Sequence, residues 1–218
     1  MILFQKFNNP ISTHSYKLTH MAKLNINYPI LVVFTLLIAT QVSPRKLGDE
    51  EDELRLDYIC LHNQKLTKIH FYAHDLTGGP NGTVHELARA AVSTDELFSF
   101  GKMYVVDDAL TAGPGRGSGD VGRSQGIFTS ADMKTTAMAM NFNIVFTSGE
   151  YNGSTLSIAG RNQVQERQRL LAVVGGTGVF RFTRGHAVTA AYSTAVGEDS
   201  SLYLVIEYFI YTTFCPMM

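Results

Sequence analysis

The sequence predicts an all-β fold, an eight-stranded up-and-down antiparallel β-barrel, and three observations carry that prediction. From Leu66 onward the chain breaks into short runs rich in Val, Ile, Phe, Tyr and Thr, separated by clusters of Gly, Asn, Asp and Ser. No stretch beyond that point keeps a long helical period. The composition agrees, since 19 glycines, 45% hydrophobic residues and only 17% charged residues in 218 suit a turn-rich β globule of one domain. Consecutive runs with short connections favour closure, because a closed sheet has no exposed edge. An open sandwich is the alternative.

Residues 1–43 read as a signal peptide. The apolar stretch Ile30 to Ala39 follows Lys23 and is shorter than the roughly 20 residues a membrane span needs. Met21-Ala22-Lys23 has the form of a natural start, which makes residues 1–20 an alternative N-terminal extension. Residues 44–57, with Asp49-Glu50-Glu51-Asp52-Glu53, read as a solvated acidic linker, since like charges repel and stay hydrated. The folded domain is then 58–218. Its eight expected strands are Thr67 to Asp75, Thr83 to Ala91, Lys102 to Ala109, Val121 to Ala131, Met138 to Ser148, Ser154 to Gly160, Val179 to Ala191 and Leu202 to Thr213.

Several functions are disfavoured at once. A formal net charge of −1 without a basic stripe argues against nucleic acid, whose phosphates need clustered Lys and Arg. Val173-Val174-Gly175-Gly176-Thr177-Gly178 lacks the Lys-Ser/Thr and the following helix of a phosphate loop, so it reads as a barrel corner. Gly117-Ser118-Gly119 lies in a glycine-rich loop instead of a nucleophile elbow. No cofactor fingerprint is present. His70 and His74 would sit roughly 13 Å apart along a strand, too far to share a metal ion, and are expected on the surface or at an interface.

Alternation along the first strand puts Ile69, Phe71, Ala73 and Asp75 on one face, and the apolar content of that face turns it inward. Phe71 and Ala73 therefore line the expected pocket. Asp75 has two readings: a pocket carboxyl whose pKa rises on desolvation, or a cap for the turn Leu76-Thr77-Gly78-Gly79. The last strand is apolar on both parities apart from Glu207, which points to a second copy covering its outer face. Cys60 and Cys215 bracket the domain, and in an oxidising compartment they are expected to form one disulfide; two free thiols are the alternative. Asn81 and Asn152 open sequons within Asn-Gly turns and are expected N-glycosylation sites.

Taken in order, His70-Phe71-Tyr72-Ala73-His74-Asp75, Phe100-Gly101-Lys102, Asp107-Asp108-Ala109-Leu110-Thr111, Gly122-Arg123-Ser124-Gln125-Gly126, Val145-Phe146-Thr147, Tyr151 to Leu156, Gly160-Arg161-Asn162, Val173 to Gly178, Phe180-Arg181 and Arg184-Gly185 resemble the plant dirigent family from about Leu66 to Tyr211. The resemblance implies a glycosylated barrel of the apoplast, often trimeric, with a disulfide joining the domain's ends. It also implies stereoselective guidance of phenoxy-radical coupling, as in lignan formation, with a laccase or peroxidase making the radicals and no cofactor in the guide. Some relatives are instead cyclases acting on quinone methides. A wall or defence protein that binds phenolics or glycans is a third reading. The family's pocket aspartate falls on Asp75, its pocket arginine on Arg169, and a second pocket acid on Asn162, where an amide cannot exchange a proton at neutral pH. That departure puts lignan-type closure in doubt. Ala73, Ala109, Ser124 and His186 also depart from the family pattern, and Ala73 should enlarge the pocket.

Overall fold

The computed structural model describes residues 50–215. The expected signal peptide and the start of the acidic linker lie outside them. The rest of that linker is helical instead of flexible: helix α1 spans Glu50–His62. Asp57 of α1 pairs with Arg181 at 2.9 Å, and Gln64 Nε2 donates to the Phe182 carbonyl at 3.2 Å. Both contacts tie the segment to the barrel.

Nine strands follow: β1 Lys65–Thr77, β2 Val84–Arg89, β3 Lys102–Thr111, β4 Asp120–Ser130, β5 Ala137–Phe146, β6 Thr155–Gln163, β7 Arg169–Thr177, β8 Gly185–Val196 and β9 Leu202–Phe214. They close into a barrel in which β9 returns to pair antiparallel with β1 along its whole length. The ring still has eight paths. β1 pairs with the end of β3 through Tyr72, Ala73 and His74, and β2 then takes over the same edge of β3 from Val84 opposite Val106. β2 runs parallel to β1 and continues its line.

The expected strand list reached eight differently. It counted β2 as a separate stave and missed β7, because Val173 to Gly178 was read as a corner. The corner begins only at its end, where Gly178 has φ +63 and opens the 3-10 turn Gly178–Phe180. A side chain at Gly176 would meet the Thr155 carbonyl at 2.5 Å and Phe180 Cβ at 2.7 Å. These glycines let Phe180 fold into the barrel end, where it is fully buried. The strand expected from Val179 accordingly starts six residues later.

The interior holds one large apolar cluster, with Ile69, Phe71 and Ala73 of β1 packed among Leu110, Phe142, Ile144, Leu156, Ile158, Leu171 and Ile210. Each large side chain buried there is worth about 1.5–3 kcal/mol. A second cluster of Val84, Tyr104, Val106, Phe128 and Met138 fills the end bounded by β2. The inward face predicted for β1 is the one observed. Two outward residues are nevertheless covered: Tyr72 is buried, and His74 is fully buried, not on the surface. Thr111 Oγ1 donates to the Gly113 carbonyl at 2.7 Å and therefore accepts from His74 Nε2 at 2.7 Å, which leaves His74 Nδ1 to accept from the Tyr203 hydroxyl at 2.5 Å. His70 is exposed as expected, paired with Glu207 at 2.9 Å and stacked on Phe209.

Candidate functional site

Asp75 ends the inner face of β1. The ladder that pairs Ala73 with Leu110 and His74 with Ala109 puts Asp108 of β3 on the next rung. Asp75 Oδ1 accepts from Thr77 Oγ1 at 3.1 Å, and Asp108 Oδ1 accepts from Thr83 Oγ1 at 2.6 Å. Asp108 is only 4% exposed, so it is a core carboxyl. Burial pushes Asp75 up to about 6 against the Thr77 bond. Burial and then the charge of Asp75 push Asp108 up to about 8, opposed by the Thr83 bond and by Arg123. Asp75 is half-buried and Asp108 buried, and the charge of Asp75 disfavours ionisation of Asp108, so both carboxyls keep their protons to higher pH than an ordinary aspartate.

Tyr208 of β9 completes the group. Its ring stacks on Phe71 with centroids 5.3 Å apart and meets Phe142 edge-on at 6.3 Å. Burial first, then the negative charges of Asp108 and Asp75, hold its phenol well above the usual range despite the opposing charge of Arg169. The hydroxyl therefore stays protonated and can donate. The register carries the wall onward from Phe71 to Tyr208, to Thr189 and to Arg169. Arg169 Nε donates to Thr189 Oγ1 at 3.3 Å. Burial lowers the guanidinium's pKa, yet an arginine starts so high that it remains a cation.

Asn162 lies on β6 opposite Met138. Its Nδ2 is 3.9 Å from Met140 Sδ, and its Oδ1 is buried without a hydrogen-bond partner. It is thus an unsatisfied acceptor. Phe71 and Ala73 are inner-wall residues, 0% and 2% exposed. Of the expected residues, the structure brings Asp75 and Arg169 into one electrostatic group through Tyr208. Asp108 and Tyr208 were missed. Parity could have found Asp108, since Tyr104, Val106, Asp108 and Leu110 form an apolar inward face interrupted by one acid.

The cysteines meet at the barrel end. Both are thiols, Cys60 buried and Cys215 half-buried. The Cys60 thiol is pushed up to about 12 by burial first and then by its hydrogen bond with Cys215. The disulfide expected from the sequence is therefore two neighbouring thiols here. Asn81 and Asn152 are both exposed in turns.

The fold is a closed β-barrel that carries two acids, a tyrosine and an arginine on its inner wall. The chain belongs to the dirigent family: residues 66–213 match the family model described as Dirigent-like protein. It is 43% identical over 148 residues to Dirigent protein 1 of Arabidopsis thaliana, covering 68% of this chain and 79% of that protein. It is 35% identical over 194 residues to Pterocarpan synthase 1 of Glycyrrhiza echinata, covering 88% and 95%. A solved pterocarpan synthase dirigent protein superimposes with a TM-score of 0.65 at 38% identity, over 71% of this chain and 93% of that one.

Proposed function

We propose that this chain is a dirigent guide that holds phenolic intermediates in its barrel and fixes the handedness of the product formed from them. The observation that carries the reading is the Asp75–Asp108 pair with Tyr208 and Arg169 on one inner wall. A separate laccase or peroxidase removes one electron and one proton from each phenol. Two phenoxy radicals then form one carbon–carbon bond, and orientation in an apolar cavity selects the face on which it forms. The coupled product is a quinone methide. Ring closure adds an oxygen nucleophile to its exocyclic carbon; the nucleophile loses a proton and the carbonyl oxygen gains one.

The carboxyl pair supplies that exchange without net change, the ionised member taking the proton and the protonated member giving one. Arg169 and the Tyr208 hydroxyl stabilise the phenolate oxygen as it develops. The orphan Oδ1 of Asn162 accepts from a phenolic hydroxyl farther along the wall. This division of labour keeps closure available although Asn162 carries no proton to exchange, because Asp108 provides the second acid.

A quinone-methide cyclase is the second reading. The acid–base pair favours it, as does the 35% identity with a pterocarpan synthase over most of both chains. The chain acts after secretion into the apoplast as a glycosylated trimer. Coniferyl alcohol oxidised by a separate laccase, with and without the protein, tests the guide: the enantiomeric ratio should change while the oxidation rate does not. A cyclase would leave that ratio unchanged and speed closure of a supplied quinone methide.

A further inference from the structure

The two carboxyls of the proposed site share a neighbour that the functional reading leaves unused, the turn between β1 and β2. It leaves β1 at Thr77 and reaches β2 through Thr83, with Gly78 and Gly79 at φ +83 and +72 making the reversal. Its ends are locked together: the Thr83 amide donates to the Leu76 carbonyl at 2.8 Å, and the Leu76 amide donates to Thr83 Oγ1 at 2.9 Å. A hydroxyl that already accepts from an amide has one hydrogen left to give, and that of Thr83 goes to Asp108 Oδ1 at 2.6 Å. At the other end of the turn, Thr77 Oγ1 donates to Asp75 Oδ1. One five-residue turn therefore delivers one hydroxyl to each member of the pair.

We propose that Thr77 and Thr83 are positioning residues, and that the turn between them sets how tightly Asp75 and Asp108 hold their protons. A hydroxyl donor stabilises the ionised carboxyl, so each threonine opposes the burial that favours the acid form. The other titratable groups near Asp108 are Asp75 on β1, Arg123 on β4, its neighbour Asp107 and Tyr208 on β9, the strand beside β1. None of them reaches it through the turn. The same turn carries the exposed Asn81, and Thr83 is the third residue of that sequon. The hydroxyl that marks Asn81 for glycosylation in the nascent chain is the one that holds Asp108 in the folded protein.

The inference rests on reading the two carboxyls as the proton-handling pair, but its test does not need the substrate. The full-length secreted protein, labelled with carbon-13 at the aspartate carboxyls, is titrated by NMR, with Asp75→Asn and Asp108→Asn identifying the two signals. Thr83→Val should raise the Asp108 midpoint by about one pH unit, a tenfold tightening. Thr83→Ser should restore the wild-type midpoint, and Asn81→Gln, which removes only the glycan acceptor, should leave it in place. Thr77→Val should raise the Asp75 midpoint in the same direction, and it decides the matter if Thr83→Val fails to fold. Unchanged midpoints in the folded valine variants overturn the proposal, as does a shift in Asn81→Gln equal to that in Thr83→Val. Shifted midpoints in a protein that changes no product from oxidised coniferyl alcohol would sink the functional reading alone.

Discussion

Asp75 follows His74 on β1 and Asp108 precedes Ala109 on β3, so the two carboxyls flank the last rung at which β1 pairs with β3. Just beyond them β2 replaces β1 along β3, so the carboxyls lie where the barrel's edge changes hands. There the backbone ladder is handed from one strand to another, and the turn hydroxyls are at hand to bond the carboxyls.

The pair makes stability depend on pH in a fixed direction. Both carboxyls have folded pKa values raised above that of an unfolded aspartate, to about 6 and about 8. The unfolded chain thus releases these protons first, and the contribution present below about pH 4 is lost as pH rises through about 8. The melting temperature should fall across that window. Asp108→Asn, which keeps shape without a titrating charge, should flatten the fall and raise the melting temperature near pH 8; an unaltered profile would show that Asp108 ionises freely.

Asp75→Asn should abolish stereochemical bias while leaving the circular dichroism spectrum unchanged, because the amide fills the same space and exchanges no proton. Full selectivity in that variant would assign Asp75 to capping the turn after β1.

The neighbouring thiols of Cys60 and Cys215 should be oxidised to one intramolecular disulfide in the secreted protein. Mass spectrometry of non-reduced peptides reads this directly. By the loop-entropy model the bond adds at most about 5 kcal/mol, so Cys215→Ser should lower the melting temperature. Two free thiols in secreted material would contradict it.

Fold and first strand were readable from the chain because alternation is a local signal. Ile69, Phe71 and Ala73 announce their face without reference to any other strand. β7 was not readable, since its glycines resemble a turn until Thr155 and Phe180 are packed against Gly176. His74 escaped for the opposite reason: parity puts it outside, and only the Tyr203 hydroxyl and the Thr111 side chain show that outside is still buried. Asp75 came from the same alternation and from resemblance, Arg169 from resemblance alone, and the structure gave both physical company. Alternation along β3 puts Asp108 on the inward face with Tyr104, Val106 and Leu110, but its nearness to Asp75 needed the cross-strand register, a long-range fact that no window of sequence contains.

That buried histidine gives a separate test of the fold. Burial and the charge of Arg116 lower the His74 pKa, so its share of stability is present above about 6.5 and is lost as pH falls. His74→Leu should cost about 2 kcal/mol by leaving the Tyr203 and Thr111 hydroxyls without their partner. A chemical-denaturation curve matching wild type would contradict the hydrogen-bonded chain.

Asn162→Asp places a carboxyl near the thioether of Met140 and the buried wall. If closure beside Asn162 is limited by proton exchange, this variant should increase lignan-type ring closure several-fold, read as product yield on a chiral column. No change would leave closure to the Asp75–Asp108 pair alone.

The most direct test of the central claim is chiral chromatography of the products of coniferyl alcohol and a separate laccase, run with wild type, with Asp108→Asn and without protein. Wild type should give a clear enantiomeric excess, Asp108→Asn a ratio near that of the protein-free reaction, and coniferyl alcohol should be consumed at one rate throughout. Racemic product with the wild-type protein, or undiminished excess with Asp108→Asn, would contradict it.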